Sequence, residues 1–90
     1  MKKTNINRNY SVTVSGEIRD REKIAGKMVM NAGNLVTGIR NDKAAVVFFF
    51  QFKSDAKLVL RNVSKLLQVK QVVSCETVFG GAKAVVSKIA

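Results

Sequence analysis

The chain of 90 residues contains no histidine, no tryptophan and no proline, and it has one cysteine, Cys75. Without histidine, a His-based catalytic triad and a histidine-ligated zinc site are excluded, and Cys75 has no base to activate it. A single thiol also forms neither an internal disulfide nor a multi-cysteine metal site. The reduced thiol, together with a basic start that no apolar stretch follows, predicts a cytoplasmic protein without a secretory signal.

Acidic residues are scarce. Six Asp and Glu oppose sixteen Lys and Arg, which gives a net charge of +10. Asp42 and Asp55 suit a turn and a helix start, while Glu17, Asp20 and Glu22 alternate with basic residues in a charge-balanced segment. The sequence therefore predicts no enzymatic activity, no cofactor and no metal site. Such an excess of positive charge favours polyanions through counterion release, which makes nucleic acid the expected partner.

The longest apolar run spans residues 43–53, KAAVVFFFQFK, and holds four of the five phenylalanines. Val and Phe favour a pleated, half-buried surface, so the run predicts a central strand with two apolar faces. Because side chains alternate along a strand, one face is expected to carry Val46, Phe48, Phe50 and Phe52 and to meet the core. Val47 and Phe49 then face outward, and such an exposed apolar pair predicts a homodimer interface.

The remaining segments predict one domain. Residues 1–9 are expected to form a flexible basic arm and residues 10–90 a single α+β domain. Residues 20–33 fit either a helix capped by Asp20, which the pattern favours, or a strand, and residues 82–90 fit a strand or a short helix. The other predicted elements are strands over 10–19, 35–40 and 71–79, and a helix over 55–69 with Ser54 as its N-cap.

This order predicts an antiparallel sheet with two helices on one face, in the βαββαβ order of ferredoxin-like folds. The alternative is a β-meander followed by one helix and a hairpin. On the polar side of the second helix, Lys57, Arg61 and Lys65 recur every four residues. With Lys2, Lys3 and Arg8 of the arm, these six cations are the predicted phosphate-binding residues.

Two segments resemble ACT-type regulatory domains. Residues 32–39, AGNLVTGI, are similar to the end of the first helix and the second strand of that family, and residues 58–80 are similar to its last helix and strand. The resemblance implies a ferredoxin-like fold, side-by-side dimers and an amino-acid effector. The family's glycine-containing effector loop is replaced here by Arg19-Asp20-Arg21-Glu22. RNA recognition motifs share the fold, but the central strand here lacks their alternation of glycine and aromatic residues.

Two functions therefore compete. The first is a small, non-enzymatic protein that binds nucleic acid through phosphate contacts as a homodimer. The alternative is an ACT-like regulatory or assembly module that holds a small ligand or a partner at its dimer seam. Neither hypothesis involves a membrane, because no segment has the roughly 20 apolar residues that a spanning helix needs.

Overall fold

The computed structural model describes residues 9–69 and 75–89. These residues form an α+β fold with a five-stranded antiparallel sheet and two α-helices. None of their helices is long and apolar enough to cross a membrane. In chain order the elements are β1 (Tyr10–Gly16), α1 (Ile18–Ala32), a 3₁₀ turn (Gly33–Leu35), β2 (Val36–Asn41), β3 (Ala45–Phe50), α2 (Lys53–Leu66), β4 (Glu76–Phe79) and β5 (Ala82–Lys88).

The strand order is β2-β3-β1-β5-β4, and every neighbouring pair is antiparallel. Both segments that the sequence left open are now assigned, because residues 20–32 lie in a helix and residues 82–88 in a strand. The described residues contain one strand more than the six-element order expected from the sequence. Its strand order is therefore not that of a simple ferredoxin fold.

The core lies between the two helices and one face of the sheet. Val12 and Val14 of β1 and Phe48 and Phe50 of β3 are fully buried there. From the helices come Ile24, Met28, Ala32, Ala56, Val59, Leu60 and Val63. The expected direction of Phe48 and Phe50 is thus confirmed.

Several details of the sequence prediction are wrong. Phe52 does not extend the core face, because β3 ends at Phe50 and the side chain of Phe52 is 54% exposed. The helical spacing of Leu66 from Val59 and Val63 predicts that it faces the core, but Leu66 is 53% exposed at the last residue of α2. Ser11 alternates with the apolar residues Tyr10 and Val12, which predicts a solvent-facing position, but it is buried. Side-chain alternation predicts which residues share a face, but it does not predict where a strand or helix stops.

The helix caps also differ from expectation. Asp20 does not cap α1, which begins at Ile18 after Glu17 without a side-chain capping bond. The carboxylate of Asp20 instead accepts a hydrogen bond from the backbone N–H of Gly81 at 2.8 Å, which ties α1 to the turn between β4 and β5. The α2 helix likewise begins at Lys53, after Phe52, and Ser54 lies inside it.

A buried hydroxyl pair joins α2 to the added strand β4. The Ser64 hydroxyl donates to the Leu60 carbonyl at 2.9 Å and hydrogen-bonds the hydroxyl of Thr77. Ser64 and Thr77 are almost completely buried, so their polar atoms need these partners. The bond fixes α2 over the β4 edge of the sheet.

Candidate nucleic-acid interface

Four cations follow one another at every fourth position of α2, at Lys53, Lys57, Arg61 and Lys65. Residues four apart are neighbours on a helix surface, and at 1.5 Å per residue each step covers about 6 Å and the set about 18 Å. Lys53, Arg61 and Lys65 are exposed, and Lys57 is half-buried. We call these four residues the α2 row.

The α2 row lacks a carboxylate of its own. The one acidic residue of α2 is Asp55, which lies two positions from both Lys53 and Lys57 and therefore does not face either of them. Within residues 9–69 and 75–89 the ion pair present joins Arg40 to Asp42 at 3.2 Å, away from this helix. The positive field of the row is thus not cancelled by a bound side chain among the described residues.

Sequence reasoning found three members of the row and missed Lys53. It placed Ser54 at the N-cap, which put Lys53 outside the helix. In the structure the helical turn includes Lys53, and its side chain continues the four-residue spacing by one step. The four-residue spacing from Lys53 to Lys57 is visible in the sequence, and it was the signal that could have identified Lys53 as a member of the row.

The N-terminal end of α2 carries an exposed aromatic ring. Phe52 immediately precedes Lys53 and is 54% exposed. Among the described residues, Tyr10 and Phe79 are half-buried and the three phenylalanines of β3 are buried, so Phe52 is the most exposed aromatic side chain.

Phe52 follows β3 at the end of the sheet where β1 begins and β5 ends. Tyr10 at the start of β1 pairs with Phe50 and with Lys88, and Lys88 is exposed. Asn9 donates its backbone N–H to the Phe50 carbonyl at 3.0 Å and its side-chain amide to the Gln51 carbonyl at 3.2 Å. We call this edge of the molecule, where β3 and β5 end and α2 begins, the lysine end.

The arm cations Lys2, Lys3 and Arg8 lie outside the described residues. The chain that carries them joins the described fold at Asn9, beside the lysine end. The sequence thus links three further cations to the edge at which the α2 row starts.

Val47 and Phe49, the predicted dimer interface, lie on the sheet face opposite the core. They are nevertheless only 6% and 8% exposed, so the expectation that they face solvent is wrong. The guanidinium of Arg40 lies 5.9 Å from the centre of the Phe49 ring. Their role in an interface stays a prediction. The exposed apolar patch on which that prediction was based is not present at these two residues. For the same reason Phe49 is not a free platform for base stacking.

The fold also has an apolar groove between α1 and the edge strand β2. Two adjoining cavities, of about 380 and 320 Å³, share Val29 and Ile39 in their walls. Near one end the groove is bordered by Arg21, Glu22 and Asp42. A Cβ atom added at Gly26 would meet no atom within 4 Å other than its chain neighbours and the nearby backbone of α1.

The described residues contain few groups that could ligate a metal ion. No three His, Cys, Asp or Glu residues lie close enough there to hold a metal ion. Cys75 is half-buried beside β5, and its carbonyl accepts a hydrogen bond from Val86 N–H at 2.9 Å.

Comparison with known proteins gives no relative: no family model, no curated protein and no solved structure matches this chain. The resemblance to ACT-type domains therefore stays a prediction.

Proposed function

We propose that this protein is a small, non-enzymatic nucleic-acid-binding protein that holds phosphates through the α2 row together with Lys2, Lys3 and Arg8. The observation that carries the proposal is the row itself: four cations on one side of one helix, without a paired carboxylate among the described residues. Contacts of this kind position a nucleic acid without reading its sequence, because every phosphate is alike. Binding is therefore expected to be non-specific and steeply salt-dependent.

The cytoplasm is the proposed compartment and a homodimer the proposed assembly. A homodimer doubles the number of rows that contact one polyanion, which raises avidity without a new kind of contact. The ferredoxin-like order is part of the same proposal. When β4 is set aside, the remaining strands have the order β2-β3-β1-β5, in which each strand that follows a helix is separated by one strand from the strand before that helix.

The test compares two triple variants with the same loss of charge. The row variant replaces Lys57, Arg61 and Lys65 by Gln. The control variant replaces Arg19, Lys43 and Lys83 by Gln; these residues are also exposed but lie outside α2. Fluorescence anisotropy with a labelled oligonucleotide is measured between about 50 and 200 mM salt. The row variant is expected to bind more weakly and to lower the salt slope by at most about 3, one unit for each lost contact.

The control variant is expected to keep most of the slope. If both variants lose affinity equally, total charge rather than the α2 row drives binding. An unchanged slope in the row variant removes α2 from the interface and points to the arm. Both variants should melt within a few degrees of the parent, because exposed charges contribute little to stability. Light scattering on the same samples tests the homodimer, and a monomer mass would remove that part of the proposal.

The ACT-like module is the second candidate, and the groove between α1 and β2 favours it. Its cavities of about 380 and 320 Å³ fall within the usual size of ligand sites, roughly 300–1,000 Å³. This candidate would be supported over the first if the protein does not bind nucleic acid but melts at a higher temperature when an amino acid is present.

A further inference from the structure

Phe52 is an exposed aromatic residue that packing does not explain. It occupies the N-cap position of α2 with extended backbone angles, φ −116° and ψ 142°, which any residue adopts. Its carbonyl accepts the Ala56 N–H at 3.3 Å, but its side chain makes no capping hydrogen bond. A polar residue such as Ser, Asn or Asp is preferred at this position, so a half-exposed phenylalanine is unfavourable both for capping and for solvation.

The surroundings of the ring suit a polyanion that carries flat, uncharged groups. Lys53 is the next residue and begins the α2 row, and Lys88 lies at the same edge of the sheet. The nearest carboxylate along α2 is Asp55, in its first turn. Phosphates are expected to avoid Asp55 and to follow the row, while a neutral base is indifferent to that single charge.

A single nucleic-acid strand has both groups available at once. Its phosphates bind cations, and its unpaired bases have open faces that stack on aromatic side chains. In a duplex the bases already stack on each other inside the helix, so Phe52 gains nothing from them. The ring and the row together therefore distinguish the two forms of nucleic acid, although the row alone does not.

We infer that the lysine end binds single-stranded nucleic acid, with a base stacked on Phe52 and the backbone phosphates on the row that begins at Lys53. This inference rests on the proposed function and assigns it a preferred form of nucleic acid. The cations around the exposed ring complement the phosphates of a nucleic-acid strand. An apolar protein surface would leave those cations without partners.

The experiment measures binding of oligodeoxythymidylate of about 20 nucleotides and of a duplex of similar length. Replacement of Phe52 by Ala or by Leu is expected to weaken single-strand binding roughly 5- to 150-fold, the effect of losing one stacked base. Duplex binding should not change. Leu retains an apolar side chain without a π face, so it separates stacking from simple apolar contact.

Phe52→Trp gives a second readout that does not depend on lost affinity. The chain has no tryptophan, so the substituted side chain is the protein's one indole. Its fluorescence is expected to be quenched by oligodeoxythymidylate and not by duplex. Ile18→Ala is the matched control for Phe52→Ala. Ile18 is also exposed, at 60%, but it lies at the start of α1, at the opposite end of the strands.

The outcomes separate this inference from the proposed function. If the Ala and Leu variants bind single strands as the parent does, or if the indole signal does not respond, the inference is wrong while phosphate binding by the row stands. If the parent binds neither probe, both are wrong. Equal weakening toward single strand and duplex also overturns the inference, because stacking on an unpaired base cannot produce it.

Discussion

The two ends of the sheet differ in how their polar groups are used. At one end, which we call the glycine end, β1 passes into α1 beside the turn between β4 and β5. There Gly16 pairs with Ala82, the N–H of Glu17 donates to the Gly81 carbonyl at 3.0 Å, and Asp20 accepts from Gly81. At the lysine end, Lys53 and Lys88 are exposed and no ion pair engages them within the described residues.

Charge is distributed in the same unequal way. Glu17, Asp20, Glu22 and Asp42, four of the six carboxylates, belong to segments at the glycine end, where basic residues alternate with them. Of the other two, Asp55 lies at the lysine end and Glu76 begins β4 opposite Val85. At the glycine end, Asp20 and the backbone of Glu17 thus hold α1 to the turn between β4 and β5. At the lysine end, the charged side chains of Lys53 and Lys88 are exposed and make no such bond among the described residues, so they remain available to a ligand.

The largest expected effect is on the free energy of unfolding. It is tested by comparing Phe50 with Phe52, two phenylalanines near the lysine end. Phe50 is fully buried and Phe52 is 54% exposed, although only one residue separates them. Phe50→Ala is expected to lower the free energy of unfolding by roughly 3–5 kcal/mol, because it leaves a cavity in the core. Phe52→Ala should change it by less than about 1 kcal/mol. Urea denaturation measures both values.

A loss below about 1 kcal/mol for Phe50→Ala would mean that the faces of β3 are reversed. Phe48→Ala is the confirming variant, since Phe48 lies on the same face and is equally buried. A large loss for Phe52→Ala would instead show that its ring supports the fold, and the contrast between the two residues would disappear.

These two residues also show how far the sequence alone leads. Period-two alternation correctly predicts that Phe48 and Phe50 face the core. The same alternation wrongly predicts that Phe52 faces the core. Alternation continues only while the strand continues, and the strand stops at Phe50 because α2 begins at Lys53. The sequence contains a better capping residue, Ser54, so local preference did not predict that start.

The candidate site was predictable in part for the same reason. Lys57, Arg61 and Lys65 share a side of α2 as their spacing predicts, whereas Lys53 and Phe52 depend on where the helix starts. Burial of Val47 and Phe49 was not predictable from alternation, because the pattern identifies a face without saying what lies over it. Residues 82–88 matched both a strand and a helix, and pairing with β1 on one side and β4 on the other decides for the strand.

The second prediction concerns the glycine end. Gly16 has φ +114°, a backbone conformation that L side chains rarely adopt, and an added Cβ would collide with the Gly81 carbonyl oxygen. Gly16→Ala is therefore expected to lower the free energy of unfolding by about 1–3 kcal/mol, the usual cost of such strain. Thermal melting with circular dichroism measures the change, and nucleic-acid affinity should stay as in the parent.

Gly26→Ala is the matched control for that variant. Gly26 lies inside α1 with open space around a Cβ, and alanine is favoured over glycine there by roughly 1 kcal/mol, so this variant is expected to be more stable. If Gly16→Ala melts like the parent, the close contact between β1 and the turn before β5 does not hold the glycine end. If it binds nucleic acid more weakly while folded, that end belongs to the interface and the comparison between ends is wrong.

The smallest expected effect concerns Asp55, the one carboxylate of α2. Two unit charges roughly 10 Å apart in water interact by about 0.4 kcal/mol, so Asp55→Asn should raise the affinity for a single strand about twofold at low salt. The gain should fade as salt approaches physiological concentration, where the screening length is about 8 Å. Stability should fall slightly, by about 0.3–1 kcal/mol, because Asp55 lies in the first turn of α2 and complements its dipole. Glu22→Gln removes the same charge from the glycine end and is expected to leave affinity almost unchanged. An equal gain from both substitutions would show that the bound strand senses total charge, and an absent gain from Asp55→Asn would place the strand away from the start of α2.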